Sequence, residues 1–427
     1  MKADALLLPR SDGTLAPFAF RDAVQWDLQG ERPQWNRVAF AAAHVVANPT
    51  AAIDPWLDVA LDWDATLEYR RHLWGLGFAV AESMDTAQRG MGLDWPTSLE
   101  LIRRSAALAR QTPGAIVYGG AGTDHLPAGR EATIERVVAA YLEQCSAVEA
   151  TGAGTDQLPA AREATVERVV TAYLEQCGAV EATGAGIILM ASRALADCAR
   201  SPDDYVAVYG KVLSQVSRPV ILHWLGDMFD PALAGYWVGR GTPDVGHARA
   251  MDVCANVIEA NAAKIDGIKI SLLDDRKEVA LRRRLPAGVR MYTGDDFNFA
   301  ALIGGDGTGH SDALLGIFDA IAPAASAALG ALANGDRARF DAILAPTVPL
   351  SRHVFAAPTR FYKTGVVFLA WLNGHQSHFT MVGGQQSARS LVHLAQLVRL
   401  ADAAGLIEDP ARAATRLRAF LSVNGIG

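Results

Sequence analysis

Short apolar segments alternate with helix-like segments through most of this chain, and they constrain its fold more than any other feature. Eight of them have the length and residue types of buried strands. These segments are Arg37–Ala43, Phe78–Ala81, Ala115–Tyr118, Ile187–Ala191, Pro219–Trp224, Gly267–Leu272, Val289–Thr293 and Ala313–Ile317. Strands separated by helices favour a parallel α/β sheet, and eight of them predict a TIM (β/α)8 barrel. A doubly wound open sheet is the alternative, but no G-x-G-x-x-G string follows the first strand.

Strand signals fade after the eighth segment. Ala-rich helical patterns dominate Ala325–Leu344 and Ser387–Leu421. We therefore expect an N-terminal segment over residues 1–36, the barrel over residues 37–324 and a C-terminal helical extension over residues 325–427.

A 32-residue segment occurs twice in tandem, at Gly120–Thr151 and Gly152–Thr183, and the copies differ at five positions. A solenoid needs at least about three repeats, so we interpret this as a duplication inside the barrel. Each copy carries an apolar stripe at helical spacing, and only one helix fits the groove between the third and fourth strands. We expect the first copy to dock, because short strand–helix loops are the rule.

Composition excludes several classes of partner. Acidic residues outnumber basic ones by 46 to 39, for a net charge of -7, so we expect neither nucleic-acid nor membrane-surface binding. No apolar stretch approaches the ~18 residues that span a bilayer. The start of the chain lacks the apolar run of a signal peptide. Four cysteines without a C-x-x-C string indicate reduced thiols and a cytoplasmic location.

Polar residues end or follow most of the predicted strands, where TIM barrels hold their functional groups. The candidates are His44, Glu82, Asp85, Asp124, Arg193, His223, Lys269, Asp295 and Asp296. For any one of them, ordinary loop polarity is an equally good explanation.

Lys269 is the sharpest candidate, because the chain has only six lysines and this one interrupts an apolar strand. The alternation places Ile268 and Ile270 on one face and Lys269 on the other, which points into the barrel if the isoleucines pack against helices. A buried lysine amine is more readily neutral and can attack a carbonyl carbon. A salt-bridged structural lysine is the alternative.

His223 follows the same reasoning, since it shares a strand face with Ile221 and stands near the strand end. It could move protons to and from a substrate bound at Lys269. A hydrogen-bonded core histidine would fit this pattern equally well.

Three strings make the chain resemble the dihydrodipicolinate synthase/N-acetylneuraminate lyase superfamily. Asp266–Lys269 is similar to the strand-six motif, and Arg290–Asp296 is similar to the Gly-Asp motif of strand seven. The run from Gly304 to Pro323 is similar to the Gly-rich turn, the eighth strand and the proline that follows it. The resemblance is closer to a bacterial subfamily that shares the strings at Ala81–Ser105 and Tyr292–Asn298.

This resemblance implies a lysine Schiff-base aldolase or related lyase on a TIM barrel, forming a dimer or tetramer. Lys269 would form the imine with a small oxo acid or a sugar-derived carbonyl compound, without a dissociable cofactor. His223 stands where the superfamily has its proton-relay tyrosine. Substrate binding would then fall to His44, Glu82, Asp85, Asp124, Arg193, Asp295 and Asp296.

Two other functions fit the same residues. A metal-dependent TIM-barrel hydrolase or isomerase would bind a divalent ion through His44, Glu82, Asp124, His223 and Asp295. A non-catalytic barrel that binds a small molecule is the other alternative, because an insert beside the site could abolish activity while leaving the fold.

Overall fold

We describe the protein from a computed structural model. It describes residues 6–28, 30, 34–84, 89–126, 165–244 and 247–426. The candidate Asp85 and the helix expected in the first repeat copy lie outside the described residues.

Eight parallel strands close into a barrel, so the predicted TIM barrel is confirmed. The barrel strands are β3 (Ala39–Ala42), β4 (Ala79–Glu82), β5 (Val117–Ala121), β6 (Gly186–Leu189), β7 (Val220–Leu225), β8 (Ile265–Ser271), β9 (Arg290–Thr293) and β10 (Asp312–Leu315). Each strand pairs in parallel with the next, and β10 pairs with β3 to close the ring. An antiparallel hairpin, which the sequence patterns did not reveal, precedes the barrel as β1 (Leu6–Pro9) and β2 (Leu15–Phe18).

Helices follow the strands and continue beyond the barrel. The helices up to the end of the barrel are α1 (Trp63–Gly75), α2 (Trp95–Gln111), α3 (Val166–Ala182), α4 (Arg193–Cys198), α5 (Pro202–Gln215), α6 (Ala248–Ala260), α7 (Asp275–Arg282), α8 (Phe299–Gly304) and α9 (Ile317–Ala320). The C-terminal helices are α10 (Ala322–Ala333), α11 (Arg337–Leu344), α12 (Thr347–Val354), α13 (Tyr362–Asn373), α14 (Leu391–Ala403) and α15 (Pro410–Val423). Every residue of α13 is buried, which makes it the central helix of this extension.

The helix packed beside β5 and β6 belongs to the second repeat copy. In α3, Val169, Tyr173, Cys177 and Val180 are buried in the main core. The Tyr173 hydroxyl also donates a hydrogen bond of 2.5 Å to the Met190 carbonyl, just beyond β6. The prediction that the first copy docks is therefore wrong.

Strand alternation divides the core into two layers. On β8, Ile268 and Ile270 belong to the layer between the barrel and its helices. Inside the barrel, a separate cluster includes Phe40, Ile221 and Tyr292. Lys269 alternates with the isoleucines and therefore points inward, as the sequence predicts.

In the described part of the chain, no helix has both the length and the apolar character needed to cross a bilayer.

Candidate functional site

A cavity lies where strands β3, β7 and β8 end. Its wall is formed by Ala42, Met84, His223, Leu225, Phe229, Lys269, Ser271, Asp296, Gly316, Phe355 and Tyr362. This is the end of a TIM barrel at which functional groups converge. Of the residues predicted from sequence, the structure brings Lys269, His223 and Asp296 together here.

Lys269 lies on β8, and its side chain packs against Gly294. It is 8% exposed, and its Cα is the register partner of His223 on β7. A Cβ on Gly294 would lie 2.7 Å from Lys269 Cε and 2.3 Å from Ser271 Oγ. Gly294, the glycine of the Arg290–Asp296 motif, is therefore required because the Lys269 side chain packs closely against it.

His223 contacts the hydroxyl of the next inward residue on β8. Its Nε2 lies 3.3 Å from Ser271 Oγ. Burial, with the positive charges of Lys269 and Arg193, holds the pKa of His223 well below its usual value. The imidazole is therefore neutral at neutral pH and can accept a proton in the cavity.

Asp296 provides the carboxyl group of the cavity. Its Oδ1 accepts a hydrogen bond of 2.9 Å from the Ile317 amide. Burial raises the pKa of Asp296 to about 7, and the nearby positive charges of Lys269 and Lys363 oppose that rise. The side chain therefore changes its ionisation near neutral pH.

The C-terminal extension completes the cavity with two aromatic rings. Phe355 and Tyr362 stack with ring centroids 4.3 Å apart. They pack over Gly316, where a Cβ would lie 2.7 Å from the Tyr362 ring and 2.9 Å from the Phe355 ring. Sequence reasoning missed both residues, because only tertiary packing brings them to the barrel; it also left out Ser271, although its place on the inward face of β8 was a usable signal.

Two predicted substrate-binding residues are instead held by buried protein groups. Glu82 accepts hydrogen bonds of 2.7 Å and 2.9 Å from the Arg70 guanidinium, and both side chains are fully buried. His44 Nδ1 lies 2.8 Å from an Asp319 oxygen. Neither Glu82 nor His44 lines the cavity.

Three further candidates do not line the cavity either. Asp124 is bound by the Arg89 guanidinium, which holds the pKa of this carboxyl below its usual value against the effect of burial. Arg193 is paired with Asp230. Asp295 shapes the turn after β9, since its carboxylate accepts the Phe297 amide hydrogen bond at 2.8 Å.

The five ligands of the alternative metal site are not assembled. Within the described ranges, no three His, Cys, Asp or Glu side chains are grouped as a metal ion would require. His44, Glu82, Asp124 and Asp295 each have the separate partners given above.

Comparison with known families identifies the chain. A family model described as "Protein of unknown function (DUF993)" matches residues 6–153 and 149–426. The chain belongs to this family. The two matched segments of this DUF993 member overlap at residues 149–153, which include the junction of the tandem repeat. No curated protein sequence matches it significantly.

Solved structures show the same fold. A dihydrodipicolinate synthase from Aquifex aeolicus is 12% identical, with a TM-score of 0.59 over 87% of this chain and 99% of that chain. The enzyme from Thermotoga maritima is 13% identical, with a TM-score of 0.59 over 87% and 100% of the two chains. A chloride-inhibited synthase from Acinetobacter baumannii, complexed with pyruvate, is 13% identical, with a TM-score of 0.57 over 88% and 100%. This chain therefore shares its TIM-barrel fold with these structures.

Proposed function

We propose that this DUF993 member is a lyase of the aldolase type that forms an imine between Lys269 and a small carbonyl compound. The observation that carries the proposal is the position of Lys269. Its side chain is buried on the inward face of β8 and lines a cavity together with His223, Ser271 and Asp296. Burial favours the neutral form of an amine, which is the nucleophilic form.

The residues present can carry each proton transfer of such a reaction. Lys269 Nζ attacks the carbonyl carbon, and the carbonyl oxygen takes up a proton to become a hydroxyl. His223, neutral and beside Ser271, takes the proton that Nζ gives up and delivers it to the oxygen, and the protonated form of the Asp296 carboxyl supplies the second proton with which the hydroxyl leaves as water. The resulting iminium accepts the electron pair of the neighbouring bond when that bond breaks, so no oxidant or reductant is needed.

The structural neighbours support a lyase, because the matching structures are dihydrodipicolinate synthases, one of them complexed with pyruvate. A dimer or tetramer is part of this proposal, and light scattering of the purified protein measures it. A cytoplasmic location and a reaction without a dissociable cofactor also remain predictions.

Borohydride trapping tests the imine. The full-length protein is incubated with pyruvate, with other oxo acids and with uncharged aldehydes and ketones, then reduced and digested. We expect at least one compound to leave a reduced adduct on the peptide that contains Lys269. Repeated screens in which no carbonyl compound modifies Lys269 would contradict the proposal and favour a barrel that only binds its ligand.

A further inference from the structure

The charges around the cavity constrain which carbonyl compounds it can accept. Among the described residues that line it, Lys269 carries the one amine and Asp296 the one carboxyl group, and the imidazole of His223 is neutral. Six neutral apolar residues form much of the remaining wall: Ala42, Met84, Leu225, Phe229, Gly316 and Phe355. The described lining contains no arginine that could bind a substrate carboxylate.

The cations elsewhere at this end of the barrel are held by carboxylates of the protein. Arg70 binds Glu82, Arg89 binds Asp124, Arg193 binds Asp230 and Lys363 binds Asp319. If one of these cations moved to bind a substrate anion, its present carboxylate partner would lose its ion pair, which is costly for a buried group. Among the described residues of the cavity, no cation other than Lys269 is therefore placed to bind an anionic substrate.

Asp296 makes the cavity still less suitable for an anion. Its carboxyl is buried and anchored by the Ile317 amide, so it cannot turn away without losing that hydrogen bond. A substrate carboxylate beside it would be repelled, and the repulsion is strong where water is excluded. An iminium on Lys269, by contrast, carries a positive charge that the Asp296 carboxylate stabilises.

Three aromatic rings of the wall suit an apolar group. The Phe229 and Phe355 rings lie with centroids 6.4 Å apart at an interplanar angle of 76°. The Tyr362 ring stacks on Phe355 and extends this aromatic surface. Burying an alkyl or aryl group against these rings would be favourable.

We propose that Lys269 forms its imine with an uncharged aldehyde or ketone that carries an apolar substituent, and that Asp296 supplies the counter-charge for the iminium. This inference rests on the proposed function above. The Nζ–carbon bond forms and the carbonyl oxygen leaves as water, with no change of oxidation state. In an oxo acid the substrate provides its own negative charge; here the protein provides it.

Two matched pairs of compounds test the inference. Pyruvate and methyl pyruvate differ by one charge, as do phenylglyoxylate and methyl phenylglyoxylate. Each is trapped with cyanoborohydride, and the rate of adduct formation at Lys269 is divided by the rate with free Nα-acetyl-lysine, which corrects for intrinsic reactivity. We expect the wild-type protein to prefer both esters by at least about tenfold, as expected for a unit-charge repulsion at a partly shielded site. The phenyl ester should react faster than the methyl pyruvate.

The variant Asp296→Asn keeps an oxygen for the Ile317 amide and should lose most of the preference for the esters. Asp341→Asn, which removes a carboxylate that is 52% exposed on α11, is the control and should retain it.

If wild type traps pyruvate as well as or better than its ester, this inference is overturned while the imine stands. If no compound modifies Lys269, the proposed function fails and this inference with it. If Asp296→Asn does not fold, the wild-type ratios alone decide.

Discussion

Two lysines are buried in this protein, each in the same part of the fold as a buried aspartate. Lys269 and Asp296 line the cavity, whereas Lys363 and Asp319 meet where α13 packs against the end of the barrel. The four side chains are all at most 8% exposed. Burial alone therefore does not distinguish a functional lysine from a structural one.

The hydrogen bonds of Lys363 and Asp319 identify Lys363 as the structural lysine. Lys363 Nζ lies 2.9 Å from Asp319 and also donates to the Ala42 carbonyl, while Asp319 accepts hydrogen bonds of 2.6 Å and 2.8 Å from the His44 amide and ring. His44 and Lys363 hold the pKa of Asp319 far below its usual value despite its burial. At Asp296 burial dominates instead, and the pKa rises to about 7. A buried pair whose hydrogen bonds join barrel and extension builds structure, whereas Lys269 and Asp296 line a cavity in which they can also contact a ligand.

The largest expected difference is in reactivity. Lys269→Met should abolish borohydride adducts completely, because the nucleophile is removed. Its stability should change little, since burial favours the neutral form of the amine and methionine fills a similar volume with an apolar chain. Mass spectrometry of the trapped protein and urea unfolding measure the two effects. Lys211→Met, at an exposed position, is the control and should trap normally; adducts of undiminished yield in Lys269→Met would assign the chemistry elsewhere.

Lys363→Met should show the reverse behaviour. It leaves Asp319 as a buried carboxylate with one charged partner fewer, and breaking such a pair costs about 3–5 kcal/mol. Urea unfolding should show this loss in the free energy of unfolding. The double variant Lys363→Met/Asp319→Asn should recover part of it, because the unpaired charge is also removed. A single variant as stable as the wild type would mean that the Lys363 pair contributes no more to the fold than the Lys269 pair.

The pH dependence of stability separates the two aspartates. Asp296 has a folded-state pKa of about 7 against an ordinary 3.8, so the folded protein binds the extra proton between these values. Its contribution is therefore present at low pH and is lost as the pH rises through 7, at up to about 1.4 kcal/mol per pH unit. Asp319 has the opposite sign: its contribution is present above its usual pKa and is lost only in strong acid.

Urea unfolding of wild type and Asp296→Asn from about pH 5 to pH 8 measures this slope as a difference between the two proteins. We expect the wild type to lose stability relative to the variant as the pH rises. Parallel curves would mean that Asp296 has no raised pKa in the folded state.

Much of the barrel could be predicted from the sequence, because its signals are local. Each of the eight strands was found within a few residues, and the alternation around Lys269 gave its inward direction. Pairing of polar residues is not a local property. His44 and Glu82 stand at strand ends like functional residues, but Asp319 and Arg70 bind them. The aromatic wall also joins parts of the chain that are far apart in sequence.

The identity of the docked repeat copy could not be predicted for a different reason. The buried positions of α3 include Val169, Tyr173, Gln176, Cys177 and Val180. The first copy has the same residues 32 positions earlier, at Val137, Tyr141, Gln144, Cys145 and Val148. Two helices with identical buried faces have the same packing energy in one groove, so no argument from composition or periodicity separates them.

Because the two repeat copies have the same buried residues, deleting one of them should change stability and reactivity less than any substitution above. Deleting Gly152–Thr183 leaves the first copy to supply every side chain that α3 buries, and Gln144 would replace Gln176 as the partner of Asp124 and of the Gly122 amide. The connection between β5 and the docked helix shortens by 32 residues, which should stabilise the fold by about 1 kcal/mol through loop-closure entropy.

None of the residues Lys269, Asp296, Lys363 and Asp319 belongs to the repeat. The trapping rate at Lys269 and the loss in free energy of unfolding caused by Lys363→Met should therefore both be unchanged in the shortened chain. Urea unfolding and adduct formation, compared with the full-length protein, measure these quantities. A shortened protein that folds but traps markedly faster or slower would show that the repeated segment acts on the cavity. The distinction between the two pairs would then depend on more than the bonds described above.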